Sequence, residues 1–283
     1  MTKALLVLLA LATPALAEIN MADSVEWQTI DSDVVVRGFV VKQEPKTIGD
    51  GKWWDITFKI TETVKGSAKK TLRFGVRDNG GVAAGGWAKT KVDLLLFLVE
   101  GKTVADDKDA AQFPFALRRG MGSSASAITL GTSPVYTSAF ATLTKATDVL
   151  AAARLAAKSI ATMVHRVDVP WDTPAMNSLY SGSAVWMNVP VDGALEKLAL
   201  VWIKDNSVNT REEGAMALAH FKSDTNVAHM KALLADSGFS EGTFDSVDNQ
   251  RRYIVRKVAH EALEKWNVPH ANPLIQETIK KKK

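Results

Sequence analysis

The chain is 283 residues long, 46% hydrophobic and 23% charged, with 35 Lys and Arg against 31 Asp and Glu and no cysteine. The lack of cysteine excludes a disulfide-stapled scaffold and a cysteine-linked lipid anchor, so stability has to come from buried apolar surface, for which this length is ample and suggests two domains. The net charge of +4 rests on Lys3 and the terminal Lys280 to Lys283, which leaves the body close to neutral and gives no case for specific nucleic-acid binding.

Met1 to Ala17, MTKALLVLLALATPALA, carries one cation at Lys3, an apolar run from Ala4 to Ala12, then Pro14 and the small-x-small end Ala15-Leu16-Ala17. It reads as a secretory signal peptide (1–17), cleaved between Ala17 and Glu18. The apolar run is about half of the ~20 residues a membrane-spanning helix needs, and no later segment is long and apolar enough. An exported protein, periplasmic or extracellular and without a membrane span, is expected.

Residues 18–137 are expected to form a β-barrel. Trp54, Ile56, Phe58 and Ile60 alternate with Asp55, Thr57, Lys59 and Thr61, and Leu72, Phe74 and Val76 alternate with Arg73, Gly75 and Arg77, so each strand buries one face. VVVRGFVV (34–41) and LLLFLV (94–99) are apolar on both faces, as central strands covered on both sides would be. Turn residues at 48–51, 64–67 and 78–86 separate the runs, and strands so spaced predict a small five-stranded antiparallel barrel.

The order SDVVVRGFVV, WWDITFKITETVKG, TLRFGVR, KVDLLLFLVEGK resembles the oligonucleotide/oligosaccharide-binding (OB) type of barrel in netrin modules and tissue inhibitors of metalloproteases, from Asp23 to about Arg119. Those inhibitors chelate the protease zinc through an N-terminal cysteine. The mature end expected here is Glu18-Ile19-Asn20, so the resemblance implies the barrel and not the inhibition.

Residues 138–192 read as a connecting helix, Thr147 to Ile160 with Thr147 as N-cap, followed by a linker rich in proline and aromatics with Trp171, Tyr180 and Trp186. Residues 193–268 hold an internal repeat. Arg211, Gly214, Ala217, Leu218 and Phe221 recur 45 residues on as Arg256, Ala259, Ala262, Leu263 and Trp266. Helical candidates at 193–205 and 225–236 precede the two copies. The pattern resembles HEAT-type repeats, two antiparallel helices each. A basic tail, 269–283, ends the chain. The fold class expected is therefore two-domain, all-β then all-α: a small five-stranded OB-like barrel followed by a short HEAT-like helical-repeat domain.

His260-Glu261 with Glu264 approaches a zinc-peptidase spacing, but on a helical wheel these residues oppose the apolar arc of Val255, Val258, Ala259, Ala262, Leu263 and Trp266, so they are expected to face solvent. His220 and His229 likewise read as surface histidines. Ser181-Gly182-Ser183 and Gly122-Ser123-Ser124 lack a nucleophile elbow. Gly80, Gly81, Gly85 and Gly86 lack the Lys-Ser/Thr of a phosphate loop. The acidic groups Asp106, Asp107, Asp109 and Glu241, Asp245, Asp248 lack calcium-loop spacing. No catalytic residue, metal ligand or cofactor is predicted.

What remains is surface. Arg37, Lys59, Arg73 and Arg77 are expected on the outward or open side of the barrel near Trp53, where barrels of this class bind extended ligands by stacking and charge. The reading is a non-catalytic binding protein whose partner is another protein. The alternative is a carbohydrate or polyanion held on the barrel face, with a hydrolase or a protease inhibitor less favoured.

Overall fold

The structure, a computed structural model, describes residues 20–78, 86–104, 107–118, 126–130, 136–137, 142–143, 145–169, 185–241 and 250–278. The expected signal peptide, the glycines at 80, 81 and 85, Asp106, Ser123 and Ser124, Trp171 and Tyr180, Ser181 to Ser183, Asp245 and Asp248, and the four terminal lysines lie outside the described residues.

The first half runs β1 (Asn20–Asp23), α1 (Val25–Ile30), β2 (Val34–Ile48), β3 (Gly51–Lys65), β4 (Thr71–Arg77), α2 (Trp87–Thr90), β5 (Leu94–Glu100), β6 (Phe115–Leu117) and β7 (Ala127–Thr129). Next come the small hairpin β8 (Tyr136–Thr137) and β9 (Thr142–Leu143), α3 (Ala146–Ala156), β10 (Val164–Val169) and β11 (Val185–Pro190). The last part holds α4 (Gly193–Trp202), α5 (Val208–Leu218), α6 (Asp224–Leu233), β12 (Ser240–Glu241), β13 (Gln250–Arg252), α7 (Ile254–Lys265) and β14 (Gln276–Thr278).

The strands of the first half close on themselves. The six-stranded sheet has the order β2-β3-β4-β6-β5-β7, and β2 also pairs with β5, so five strands form a ring with β7 added in line with β6 along β5. The closing contact of β4 with β6 is parallel, and the other pairings are antiparallel. The predicted period of two places Val36, Val40, Ile56, Phe58, Phe74, Leu94, Leu96 and Leu98 inside the ring. The two-sided apolarity of VVV and LLLFL has its own cause. Val35, Leu95 and Phe97 point outward and are covered by Val25 of α1 and by Val149, Leu150 and Ala153 of α3. Each such side chain contributes about 1.5–3 kcal/mol on burial.

The expected succession of an all-β domain and an all-α domain is overturned. Helices and strands are interleaved along the whole chain, and the fold class is mixed α/β. Helix α1 enters before the ring, with the Ser24 hydroxyl accepting from the Trp27 N–H at 3.0 Å. Strand β1 pairs in parallel with β11, whose other edge takes β10 antiparallel. The first strand thus joins a sheet completed some 165 residues later, between Asp23 and Asn188, a pairing that local periodicity does not register. Strands β12, β13 and β14 add a small sheet to the helical end. Thr147 lies within α3 and Lys145 occupies the cap position.

In the second half α4, α5, α6 and α7 pack with the β1-β11-β10 sheet around one core that includes Met187, Val189, Leu195, Ala199, Ala215, Leu218, Met230, Val255, Leu263 and Trp266. The repeated positions Leu218 and Leu263 are 0% exposed and Trp266 is 5% exposed, while Phe221 is only partly buried. Gly214 permits the close approach of α4 and α5, because a Cβ there would stand 2.7 Å from the Ile203 nitrogen and 2.8 Å from the Trp202 Cβ. The repeated arginines share one loop: Arg211 pairs with the Asp236 carboxylate at 2.7 Å, and Arg256 donates to the Asp236 carbonyl at 2.5 Å.

A buried polar hub ties these parts together. Arg118, following β6, donates to Asp23 Oδ2 of β1 and to Asp31 Oδ2 beyond α1, each at 2.7 Å. Asn188 of β11 donates to Asp23 Oδ1 at 2.9 Å, and its carbonyl accepts from the Ser24 N–H at 3.0 Å.

Candidate functional site

The outer face of β2 and β3 carries a cleft of about 320 Å³ lined by Arg37, Phe39, Thr61, Glu62, Lys91 and Asp93. Strand alternation presents Arg37 and Phe39 outward, because Val36 and Val40 face the interior. Lys91 holds the rim in a left-handed conformation, φ 46°, at the end of α2.

Arg37, Asp93 and Glu62 on the walls are each held in an ion pair. The Arg37 guanidinium donates to both oxygens of Asp93, at 3.0 and 2.7 Å for Oδ2, and this hydrogen bonding raises its pKa further above its ordinary value. Arg154 of α3 reaches Glu62 through two N–H groups at 2.7 and 2.8 Å and holds that carboxyl below its usual range. The Thr61 hydroxyl donates to the Arg37 carbonyl at 3.2 Å. The cleft therefore offers preset donors and acceptors of both signs, with one aromatic ring.

The predicted basic patch is divided. Arg37 pairs across the ladder with Glu62, whereas Arg77 pairs with Trp53, a separation of nine positions or about 30 Å along β3. Lys59 sits 5.7 Å from the Phe39 ring and falls at the cleft end. At the other end Arg73 donates to both oxygens of Asp55, and Arg77 stands 3.7 Å from Asp107. Hydrogen bonding to Arg73 lowers the Asp55 carboxyl below its ordinary value.

Trp53 is not a presented ring. It is 3% exposed, packed with Ile48, Ala110, Phe113 and Ala116, with the Phe113 ring 5.5 Å away. The absence of a side chain at Gly51 makes room for it, since a Cβ there would stand 2.9 Å from Trp53 Nε1. Arg77 lies over its ring at 6.0 Å, and Arg73 and Lys46 lie over Phe113 at 5.9 and 5.1 Å. This end is a capped mini-core. The alternation that placed Trp53 on the polar face is kept, but Val104, Ala110 and Phe113 pack over that face and bury it.

A second cluster, at the junction of β10 with the end of α5, went unnoticed as a unit. His165 of β10 and His220 after α5 share a hydrogen bond, Nδ1 to Nε2 at 2.9 Å. Burial, with His220 alongside, pulls His165 down to about 4, and burial lowers His220 as well. Glu213 is pushed up to about 7, by burial first and then by Asp168 and Glu212, against the stabilising Asp168 N–H. Its Oε2 and the His165 Nε2 are buried without a hydrogen-bond partner among the described residues. His220 is thus half-buried rather than a surface residue. His260 is also half-buried, bonded to His270 at 2.7 Å, whereas Glu261 and Glu264 are exposed as expected.

Among the described residues no group of three or more His, Cys, Asp or Glu is arranged to hold a metal ion, and no helix is long and apolar enough to cross a membrane. Comparison of the chain with family models, with curated proteins and with solved structures returned no match.

Proposed function

We propose that this is an exported, non-catalytic binding protein, cleaved between Ala17 and Glu18, whose ring of strands is an OB-type barrel that receives an extended segment of another protein in the Arg37 cleft. The observation that carries the reading is the cleft itself: about 320 Å³, lined by Arg37 and Lys91 against Asp93 and Glu62, with Thr61 and Phe39 between them. Its volume lies at the lower end of the range for ligand sites, about 300–1,000 Å³, and walls carrying both signs suit a peptide backbone with mixed side chains better than a uniformly charged polymer.

The glycan or polyanion alternative was built on Trp53 beside Arg73 and Arg77. Two observations weigh against it: Trp53 is 3% exposed, and both arginines are paired with carboxylates. The test is a photoreactive phenylalanine analogue at position 39, with position 257 on the exposed side of α7 as control, followed by mass spectrometry of products from the envelope or culture fraction. One cross-linked protein that appears from position 39 alone, and is lost with Arg37→Ala, supports the reading. Equal products from both positions, or none from position 39, reject it.

A further inference from the structure

Exposed large apolar side chains are unevenly placed. Of the eight among the described residues, Leu155, Ile160, Met163 and Val164 fall within ten consecutive positions. They run from the last turn of α3, through a tight turn closed by Lys158 N–H to Leu155 O at 3.1 Å and Ser159 N–H to Ala156 O at 2.9 Å, into the start of β10. Ile160 is 95% and Leu155 74% exposed. Isolated exposed apolar groups need no explanation, but four within ten positions concentrate apolar surface on one short segment.

The charges that residues 149–167 themselves supply have one sign. Between Asp148 and Asp168 the sequence contains no carboxylate, and it supplies Arg154, Lys158 and Arg166, all exposed. Arg154 is tied to Glu62, so Lys158 and Arg166 carry most of the outward field. Apolar side chains at the tip of a turn, rimmed by cations with no anion in the segment, match an anionic lipid surface: the apolar groups enter the acyl boundary and the cations lie at the level of the headgroups. A protein partner of matching shape would not require the absence of carboxylates across the whole stretch.

We infer that residues 155–166 form a peripheral docking site for an anionic lipid bilayer, independent of the Arg37 cleft. The site holds the protein against a membrane without spanning it.

The test is co-sedimentation of the chain from Glu18 onward with phosphatidylcholine vesicles containing 30% phosphatidylglycerol, and with phosphatidylcholine alone. The leader is left out because its own apolar run would bind lipid. The expected result is binding to the anionic vesicles, weakened several-fold between 50 and 300 mM salt by screening, and reduced at least tenfold by Ile160→Asp with Met163→Asp. Ile160→Asp alone, at a position almost wholly in solvent, serves if the double variant melts early. No binding to anionic vesicles, equal binding to neutral ones, or binding unchanged in the Asp variants overturns the proposal. So does binding that is retained in the Asp variants but lost when Lys280 to Lys283 are changed to Ser, which would assign the lipid contact to the tail.

Discussion

Arg118→Met tests whether the polar hub holds the two halves together. Arg118 is 6% exposed and the Asp23 side chain 0%, and the guanidinium donates to Asp23 and Asp31 at 2.7 Å each. Methionine keeps the stem's volume but removes the cation beside the buried Asp23 carboxylate, to which Asn188 Nδ2 also donates at 2.9 Å. Breaking a buried pair by removing one partner costs about 3–5 kcal/mol, because an uncompensated charge stays in the interior. The Asp31 contact adds little, since that carboxylate is 47% exposed. With a urea m-value of about 3 kcal/mol/M, a loss of about 4 kcal/mol moves the midpoint down by about 1.3 M. The assay is urea unfolding followed by tryptophan fluorescence and far-UV circular dichroism. Because the hub joins β1, the six-stranded sheet and β11, the two signals should shift together. Asp23→Asn in the Arg118→Met background should recover part of the loss. A shift below about 0.4 M, or two transitions of which one stays in place, refutes the reasoning.

Trp266→Ala should cost about 3–5 kcal/mol by thermal or urea melting, while Glu261→Ala stays within about 0.5, since the first residue is in the core and the second is exposed. Gly75→Ala should lower the melting temperature measurably, because its Cβ would stand 2.3 Å from the Phe113 ring, whereas Gly193→Ala, with nothing within 4 Å of its Cβ, should not. The β10–α5 junction carries two opposed pH dependences. His165 is held down to about 4, so its contribution to stability is fully present above its ordinary 6.5 and is lost as pH falls through 4. Glu213 is held up to about 7, so its contribution is fully present below its ordinary 4.5 and is lost as pH rises through 7. Melting temperatures from pH 4 to 8 should therefore decline less toward pH 8 in Glu213→Gln and less toward pH 4 in His165→Asn; profiles parallel to the wild type would count against the cluster.

The strands of the six-stranded sheet were legible because each carries its instruction locally. Trp54-x-Ile56-x-Phe58 and Leu72-x-Phe74-x-Val76 alternate regardless of what packs on them, and the turn at Gly49, with φ 55°, is a local demand of the backbone. The core positions of the repeat were legible for the same reason, at a period of 3.6. What escaped depends on residues far apart in sequence. Nothing in Asn20 to Asp23 announces a parallel partner at Val185 to Asn188, and an expectation built from neighbouring elements had no place for that strand.

The site follows the same division. Alternation placed Arg37, Lys59, Arg73 and Arg77 on the outer face, but whether such a face is open depends on what folds over it; Val104, Ala110 and Phe113 cover one end, and the other carries a cleft. Burial of Trp53 is therefore a tertiary event written in Phe113 and Ala110, not in the strand that carries it. The acids that neutralise the arginines are also remote: Asp93 is 56 positions from Arg37 and Arg154 is 92 from Glu62. A count of cations along one strand consequently overstates the charge a ligand would meet. The location of an open surface can be read from alternation alone only where no later segment packs over it, and among the described residues Phe113 and Ala110 break that condition at the Trp53 end of β2 and β3.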